Sequence, residues 1–203
     1  MRNSRIKVLI TAVFLSCVFG IQAQEQTTPL EQVMEGLTVR NIGPAGMSGR
    51  VTCIAAHPHI ATTLYAGSAS GGLWMSENNG QNWSPLFQNE KVASIGAIAI
   101  DPNYPDIIYV GTGEGNPRNS QTSGYGLYKS YDGGQNWECI GLEQTRTIHR
   151  ILINPENTDE IYVGATGSAW GDSPRGVFKT TDGGKNCTNS LYINDRTGAG
   201  DLV

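Results

Sequence analysis

Side chains that could bind a ligand are concentrated in two glycine-bounded segments, 111–126 and 164–176. Together with one histidine between the segments, the candidates are Glu114, Asn116, Arg118, Tyr125, His149, Trp170, Asp172 and Arg175. Aromatic rings beside carboxylates and guanidinium groups are suited to holding a sugar ring or a peptide. We therefore predict a ligand-binding site formed by these residues, and we assign a catalytic role to none of them.

Glycoside hydrolysis would require two carboxylates about 5–9.5 Å apart on either side of the scissile bond. Glu114 and Asp172 are the carboxylates of the two segments, and the sequence does not give their separation. A simpler role is also open for Glu114, because it could form an ion pair with Arg118. In that case the aromatic side chains would pack between structural units and would not meet a ligand.

The two segments must be positioned by an internal repeat with a period near 50 residues. An octapeptide of the form Ser/Thr-x-Asp-x-Gly-x-x-Trp occurs at 130–137, and near-copies of it occur at 76–83 and 180–187. Its structural residues are Ser76, Asn78, Gly80, Trp83, Ser130, Asp132, Gly134, Trp137, Thr180, Asp182 and Gly184. A hydroxyl and a carboxylate that accept backbone N–H bonds, followed by a glycine, are typical of a hairpin tip. Three copies predict a repeat architecture.

Each repeat contains four segments with strand character. The first is an apolar run that ends at a proline, the second contains Tyr-x-Gly, the third leads into the octapeptide, and the fourth begins at its last residue. We therefore predict an all-β chain with repeats at 50–86, 94–140 and 147–192. The turns after first and third strands should lie on one face, and both candidate segments on the other.

The octapeptides resemble the Asp-box of β-propellers. From about residue 37 the chain resembles the secreted bacterial BNR/Asp-box propellers related to the sortilin (Vps10) ectodomain, which are often labelled glycosyl hydrolases. The opening Asn41-Ile42-Gly43-Pro44 and the segment Gly111 to Arg118 contribute to this resemblance. It implies a β-propeller with Asp-box repeats. About three blades would form an open, incomplete ring, since propellers close with about 4–8 blades.

The ends of the repeat pattern suggest that further blades exist. Residues 37–42 are predicted to be a closing outer strand, and residues 198–203 the start of a fourth blade. The chain is therefore expected to be the N-terminal piece of a longer protein. Two octapeptide positions depart from the pattern, because Asn78 replaces the Asp and Cys187 replaces the Trp. We expect the Asn78 turn to survive and the third blade to be weakened.

Residues 1–23 have the basic start and apolar run of a cleaved signal peptide, and residues 24–36 are predicted to be a mobile N-terminus. This predicts a secreted, periplasmic or cell-envelope protein with no transmembrane anchor after cleavage. The formal net charge is −4, and the basic residues are not clustered, which argues against nucleic acid as a partner. Cysteines and histidines are scattered singly, so neither a metal nor a cofactor is predicted.

Two function hypotheses follow. The favoured one is an exported, sortilin-like interaction module for a glycan or a peptide or protein ligand, without a complete catalytic site in this segment. In the xyloglucanases built on paired Asp-box propellers, the segment matching Tyr65 to Gly72 carries a catalytic Asp, and that position is Ala69 here. The alternative is a xyloglucanase-like or sialidase-like glycoside hydrolase whose remaining catalytic residues lie in further C-terminal blades.

Overall fold

The structure, a computed structural model, describes residues 50–116 and 121–203, which form three antiparallel sheets of four strands each. In chain order the strands are β1 (Val51–Ala56), β2 (Leu64–Ser68), β3 (Leu73–Ser76), β4 (Ser84–Pro85), β5 (Ile95–Ile100), β6 (Ile108–Thr112), β7 (Leu127–Ser130), β8 (Glu138–Gly141), β9 (Ile148–Ile153), β10 (Ile161–Ala165), β11 (Gly176–Thr180) and β12 (Thr188–Leu191). A single 3-10 turn, Glu143–Thr145, is the helical element of this part of the chain.

The predicted signal peptide (1–23), mobile N-terminus (24–36) and closing strand (37–42) lie outside the described residues. Within the described ranges, no helix is long and apolar enough to cross a membrane.

In every sheet the four strands lie in chain order, so each sheet is one blade-like meander. The first strands of the three sheets lie side by side, since β5 contacts β1 on one side and β9 on the other. This is the arrangement of innermost strands around a propeller axis. The predicted fold class is confirmed.

Two apolar clusters join neighbouring blades. The cluster between the first two blades consists of Tyr65, Leu73, Phe87, Ile95, Ile108, Val110 and Tyr128. The cluster between the second and third blades consists of Ala97, Tyr109, Leu127, Ile148, Ile151, Ile161, Val163, Ala165 and Phe178. Each blade thus buries its apolar residues mainly against the next blade, as expected of a repeat protein.

The outer sides of the first and third blades are open among the described residues. Val51 and Ile54 of β1 are 58 % and 69 % exposed, and all four residues of β12 are exposed. The equivalent of Ile54 in the third blade is Ile151, which is buried against the second blade. The three sheets therefore form an open arc.

A β-bulge interrupts the pairing of the first and second strands at the same place in each blade. The bulged residues are Thr52, Gly96 and His149. Thr52 Oγ1 donates a hydrogen bond to the Ile95 carbonyl of the next blade at 2.6 Å. At Gly96 the approach is closer, because a Cβ there would lie 2.2 Å from the carbonyl oxygens of Ile148 and Gly113. The bulges at Thr52 and Gly96 are therefore points of close contact between neighbouring blades.

The three octapeptides form hairpin tips with a common hydrogen-bond pattern. In the second blade, Ser130 Oγ accepts the N–H of Gly134 at 2.8 Å and donates to Asp132. Asp132 Oδ1 accepts the N–H groups of Gln135 and Asn136. In the third blade the same bonds to residues 184 and 186 are made by Thr180 and Asp182. The repeated hydroxyl and carboxylate thus satisfy backbone donors that the tight turn leaves without strand partners.

In the first blade an amide takes over the role of the carboxylate. Asn78 Oδ1 accepts the N–H of Asn82 at 2.9 Å, and Ser76 Oγ accepts the N–H of Gly80. An uncharged acceptor is therefore sufficient to form this turn.

Hydrogen bonding lowers the pKa of both turn carboxylates from 3.8 to about 2. For Asp132 the largest contribution comes from the hydrogen bond to the Asn136 side chain, followed by that to the Asn136 backbone N–H. For Asp182 the backbone N–H of Asn186 contributes most, followed by the Asn186 side chain. Since the folded pKa values lie below the unfolded value, the stabilisation is complete above about pH 4 and is lost as the pH falls toward 2.

We expect the double variant Asp132→Asn/Asp182→Asn to lose less stability than the wild type between pH 5 and about pH 2.5. The amides keep the Oδ1 acceptor of the turn, as Asn78 does, and lose only the Oδ2 bond to the side chain of Asn136 or Asn186, but they do not titrate. Urea unfolding midpoints at the two pH values measure the difference. An equal loss in both proteins would contradict the assignment of these carboxylates as acid-sensitive groups.

The last residue of the octapeptide packs against the preceding blade. Trp137 Nε1 donates to the Leu86 carbonyl at 3.0 Å, and its ring lies edge-on to Phe87. Cys187 occupies this place in the third blade, where β12 still pairs with β11 although it lies at the surface. The strand therefore forms without the tryptophan.

Cys187→Trp is expected to stabilise the third blade by about 1 kcal/mol, the contribution of one additional hydrogen bond. Gly184 lies against Ile140 as Gly134 lies against Leu86, so the Ile140 carbonyl is the expected acceptor. The free energy of unfolding in urea measures the gain, with Cys187→Ser as the control. A tryptophan variant no more stable than the serine variant would contradict this packing model.

Candidate functional site

The turns after the first and third strands of each blade lie together on one face, which we call the turn face. Backbone hydrogen bonds join them in all three blades: Asn79 N–H to Thr62 O, Gly133 N–H to Asp106 O, and Gly183 N–H to Asp159 O. These bonds tie each hairpin tip to its own blade.

The connections between second and third strands lie on the opposite face, which we call the loop face. They are anchored at equivalent strand pairs, Gly67 with Leu73, Gly111 with Leu127, and Gly164 with Val177. Between these anchors lie 5, 15 and 12 residues. The loop face therefore carries the variable connections, and variable loops on a rigid scaffold commonly carry binding sites.

Glu114 belongs to the loop of the second blade, and its side chain is fully buried. Its Oε1 accepts hydrogen bonds from Arg50 Nε at 2.9 Å and Arg50 Nη2 at 2.5 Å. The Arg50 side chain is 38 % exposed. The second oxygen, Oε2, is buried and has no hydrogen-bond partner among the described residues. Glu114 thus faces the interior, and the polar group that its ion pair presents to solvent is the guanidinium of Arg50.

Arg50 was not among the predicted site residues, and the partner considered for Glu114 was Arg118, which lies outside the described residues. The sequence signal that could have identified Arg50 is its position directly before the innermost strand of the first blade. The pairing itself spans 64 residues and depends on how two blades meet.

His149 lies on the other side of the same loop segment. Its imidazole packs so closely against Gly115 that a Cβ at that glycine would lie 2.2 Å from Nδ1. Nδ1 is buried and has no hydrogen-bond partner among the described residues. Burial lowers the pKa of His149, and the nearby Arg150 lowers it further, while Asp201 opposes the shift. The lowered pKa favours an uncharged ring at neutral pH.

Residues 198–203 lie beside the third blade. The Ala199 N–H bonds the Ala165 carbonyl, and Arg150 Nε lies 2.5 Å from Asp201 Oδ1. Both side chains of this ion pair are exposed to solvent, so it differs from the buried pair at Glu114.

Trp170 projects from the loop of the third blade and is 73 % exposed. The loop is held by its own hydrogen bonds, in which Ser173 Oγ accepts the Ser168 N–H and Ser168 Oγ accepts the Trp170 N–H. Arg175 Nη2 donates to the Ser168 carbonyl at 2.9 Å. The ring is therefore presented by an internally braced loop, and Arg175 acts as part of the brace.

The remaining candidates have different surroundings. Tyr125 is partly exposed, and Lys91 Nζ lies 4.9 Å from the centre of its ring. The Asn116 carbonyl accepts a hydrogen bond from Gln121. Asp172 is exposed on the same loop as Trp170. The loop face thus presents two aromatic rings and polar groups to solvent.

Ala69 is buried at the start of the short loop of the first blade, and its N–H donates to the Arg50 carbonyl at 2.9 Å. By the resemblance to xyloglucanases, this is the position of a catalytic Asp, so no carboxylate stands there. Within the described ranges, no group of three or more His, Cys, Asp or Glu residues could hold a metal ion.

The sequence is similar to those of several xyloglucanases. It is 29 % identical over 129 residues to an oligoxyloglucan-reducing end-specific xyloglucanase of Emericella nidulans, covering 57 % of this chain and 15 % of that protein. It is 26 % identical over 161 residues to a xyloglucanase of Hypocrea jecorina, covering 71 % and 18 %. The chain thus spans less than a fifth of the length of these relatives. No protein-family model matches it.

Solved structures with the same fold include GH74 enzymes. An ancestral GH74 enzyme matches with a TM-score of 0.60 and 23 % identity, over 73 % of this chain and 19 % of that chain. A GH74 xyloglucanase from Xanthomonas campestris matches with a TM-score of 0.53 and 20 % identity, over 74 % and 22 %. These similarities support the glycosyl hydrolase-like part of the resemblance and do not point specifically to sortilin.

Proposed function

We propose that this chain forms part of a β-propeller glycoside hydrolase that binds a β-glucan of the xyloglucan type on its loop face. The observation that supports this best is the similarity to named xyloglucanases over 52–71 % of the chain. The alternative function derived from the sequence is thereby better supported than the sortilin-like module.

The chemistry of the loop face agrees with a carbohydrate ligand. The Trp170 ring is exposed and internally braced, and Tyr125 offers a second partly exposed ring. A flat aromatic face can stack on the apolar face of a pyranose ring, while neighbouring polar groups bond its hydroxyls.

The second candidate function is glycan binding without hydrolysis, and Ala69 favours it. A glycosidase requires two suitably placed carboxylates. Glu114 is buried in an ion pair, and Asp172 is exposed on another loop. Because residue 69 is an alanine, hydrolysis by the full-length protein would require catalytic carboxylates at other positions. A peptide ligand remains the less favoured alternative.

The signal-like residues 1–23 fit an extracellular or cell-envelope function, because β-glucan polymers are extracellular substrates for a bacterial or fungal cell. Export of the protein through this segment is therefore part of its proposed function.

Incubation of the full-length protein with xyloglucan, mixed-linkage β-glucan and a sialoside tests this function. We expect xyloglucan to bind, as measured by titration calorimetry. We also expect its hydrolysis to produce new reducing ends, as measured by a reducing-sugar assay. Binding without new reducing ends would select the non-hydrolytic candidate. Absence of binding to any of the three would overturn the proposal.

A further inference from the structure

The ion pair between Arg50 and Glu114 is unusually asymmetric. The carboxylate is completely removed from solvent, whereas more than a third of the Arg50 side chain is exposed. The pairs Arg150–Asp201 and Lys179–Glu160 are exposed or half-buried on both partners. Full burial of a carboxylate carries a large desolvation cost that a surface ion pair avoids. The Arg50–Glu114 pair therefore indicates a function that a surface ion pair would not have.

The backbone around Glu114 is held in place by hydrogen bonds and by a close contact with the third blade. The Gly113 N–H bonds the Ser94 carbonyl, and the Glu114 N–H bonds the Thr122 carbonyl. Gly115 is in close contact with the His149 ring of the third blade. The three-residue segment is thus fixed to the second and third blades, while the Glu114 side chain reaches Arg50 of the first.

Among residues 50–116 and 121–203, Glu114 is the hydrogen-bond partner of the Arg50 guanidinium, and it engages only part of that group. Arginine has five N–H donors in a planar fork, and Glu114 Oε1 takes one from Nε and one from Nη2. The partial exposure of the side chain makes the remaining donors available to a ligand. A guanidinium held in one orientation suits adjacent sugar hydroxyls, because its donors are coplanar and loss of side-chain freedom has already occurred.

Arg50 also lies at the right place on the loop face. It directly precedes the innermost strand of the first blade, and its carbonyl accepts the N–H of Ala69. By the resemblance to xyloglucanases, Ala69 marks the position of a catalytic carboxylate. The Arg50 backbone therefore adjoins the position at which a glycan would be expected to approach.

We propose that Arg50 is a ligand-contacting residue that donates hydrogen bonds to glycan hydroxyls, and that Glu114 is a positioning residue that acts through Arg50. This inference rests on the proposed function, since it takes the ligand to be a xyloglucan-type glycan. It assigns Glu114 a role that requires no contact with the ligand, in agreement with its burial.

The test uses a xyloglucan oligosaccharide and four variants of the full-length protein: Arg50→Lys, Arg50→Ala, Glu114→Gln and Arg50→Ala/Glu114→Gln. We expect Arg50→Lys and Arg50→Ala each to weaken binding about tenfold, because neither preserves the planar fork. Glu114→Gln should weaken it about fivefold. In the double variant the loss should equal that of Arg50→Ala alone, because Glu114 acts only through Arg50.

The double variant also guards against a failure to fold, since it leaves no unpaired buried charge at residue 114. Glu160→Gln is the matched control, because it removes the carboxylate partner of Lys179 on the turn face. It should leave affinity unchanged. Circular dichroism melting curves separate loss of stability from loss of affinity.

The outcomes distinguish the two proposals. Absence of oligosaccharide binding by the wild type would overturn the proposed function. Binding by the wild type with unchanged affinity in Arg50→Lys and the double variant would overturn the role of Arg50. Additive losses for Arg50→Ala and Glu114→Gln would overturn the positioning role of Glu114.

Discussion

Gly96→Ala is expected to cause a large loss of folding stability in the described blades. The new Cβ would lie 2.2 Å from the carbonyl oxygen of Ile148 and 2.2 Å from that of Gly113. Both obstructing atoms belong to the backbone, so no side-chain rotation relieves the clash. Overpacking a core costs about 1–3 kcal/mol when side chains can adjust, and more when they cannot. We expect a loss above about 3 kcal/mol, a large part of the stability of a domain.

Urea unfolding and the near-ultraviolet circular dichroism spectrum of the variant measure this effect. The matched control is Gly171→Ala, because a Cβ at residue 171 would have no neighbour within 4 Å. The control should unfold like the wild type. A folded Gly96→Ala protein with wild-type stability would mean that the second and third blades are farther apart than the structure places them.

Trp170→Ala is expected to reduce affinity for a xyloglucan oligosaccharide by at least about tenfold, equivalent to about 1.4 kcal/mol. The ring is 73 % exposed, so its apolar face is available to a ligand. The hydrogen bonds of its loop join other groups, including the Trp170 backbone N–H, and would survive truncation of the side chain. Stability should therefore remain close to that of the wild type.

The matched control is Tyr104→Ala, since Tyr104 is also an exposed aromatic residue but follows β5 on the turn face. Titration calorimetry of both variants with the same oligosaccharide measures the contrast. An equal affinity for the two variants would remove Trp170 from the glycan site. A loss in Tyr104→Ala alone would place the ligand on the turn face.

The fold was accessible from the sequence because its determinants are local. Ser130, Asp132 and Gly134 lie within five residues of one another, and their bonds close a single turn. Apolar runs ending at proline marked the innermost strands. Each run alone is weak evidence for a strand, but the same pattern occurs in three repeats. The fourth strand of the third blade lacked the apolar pattern of the others, and β12 nevertheless pairs with β11 through backbone groups that do not depend on apolar side chains.

The candidate site was less accessible because its contacts join different blades. Arg50 meets Glu114 across 64 residues, and Gly115 meets His149 across the following interface. Such contacts depend on the distance between sheets and on the bulges that direct residues such as His149. Neither quantity is encoded in the spacing of residue types along one repeat. Trp170 was identifiable because it lies in a long connection between two predicted strands, where binding residues are often found.

The common anchoring of the loop-face connections has a consequence for how such a protein diversifies. Insertions between Gly164 and Val177, or between Gly111 and Leu127, begin and end on paired strands. Doubling the length of such a flexible loop costs only about 0.6 kcal/mol in closure entropy. On the turn face each hairpin tip is instead hydrogen-bonded to the other turn of its own blade. A change of loop length in one blade can therefore alter the loop face without disturbing the hydrogen-bonded turns of the opposite face.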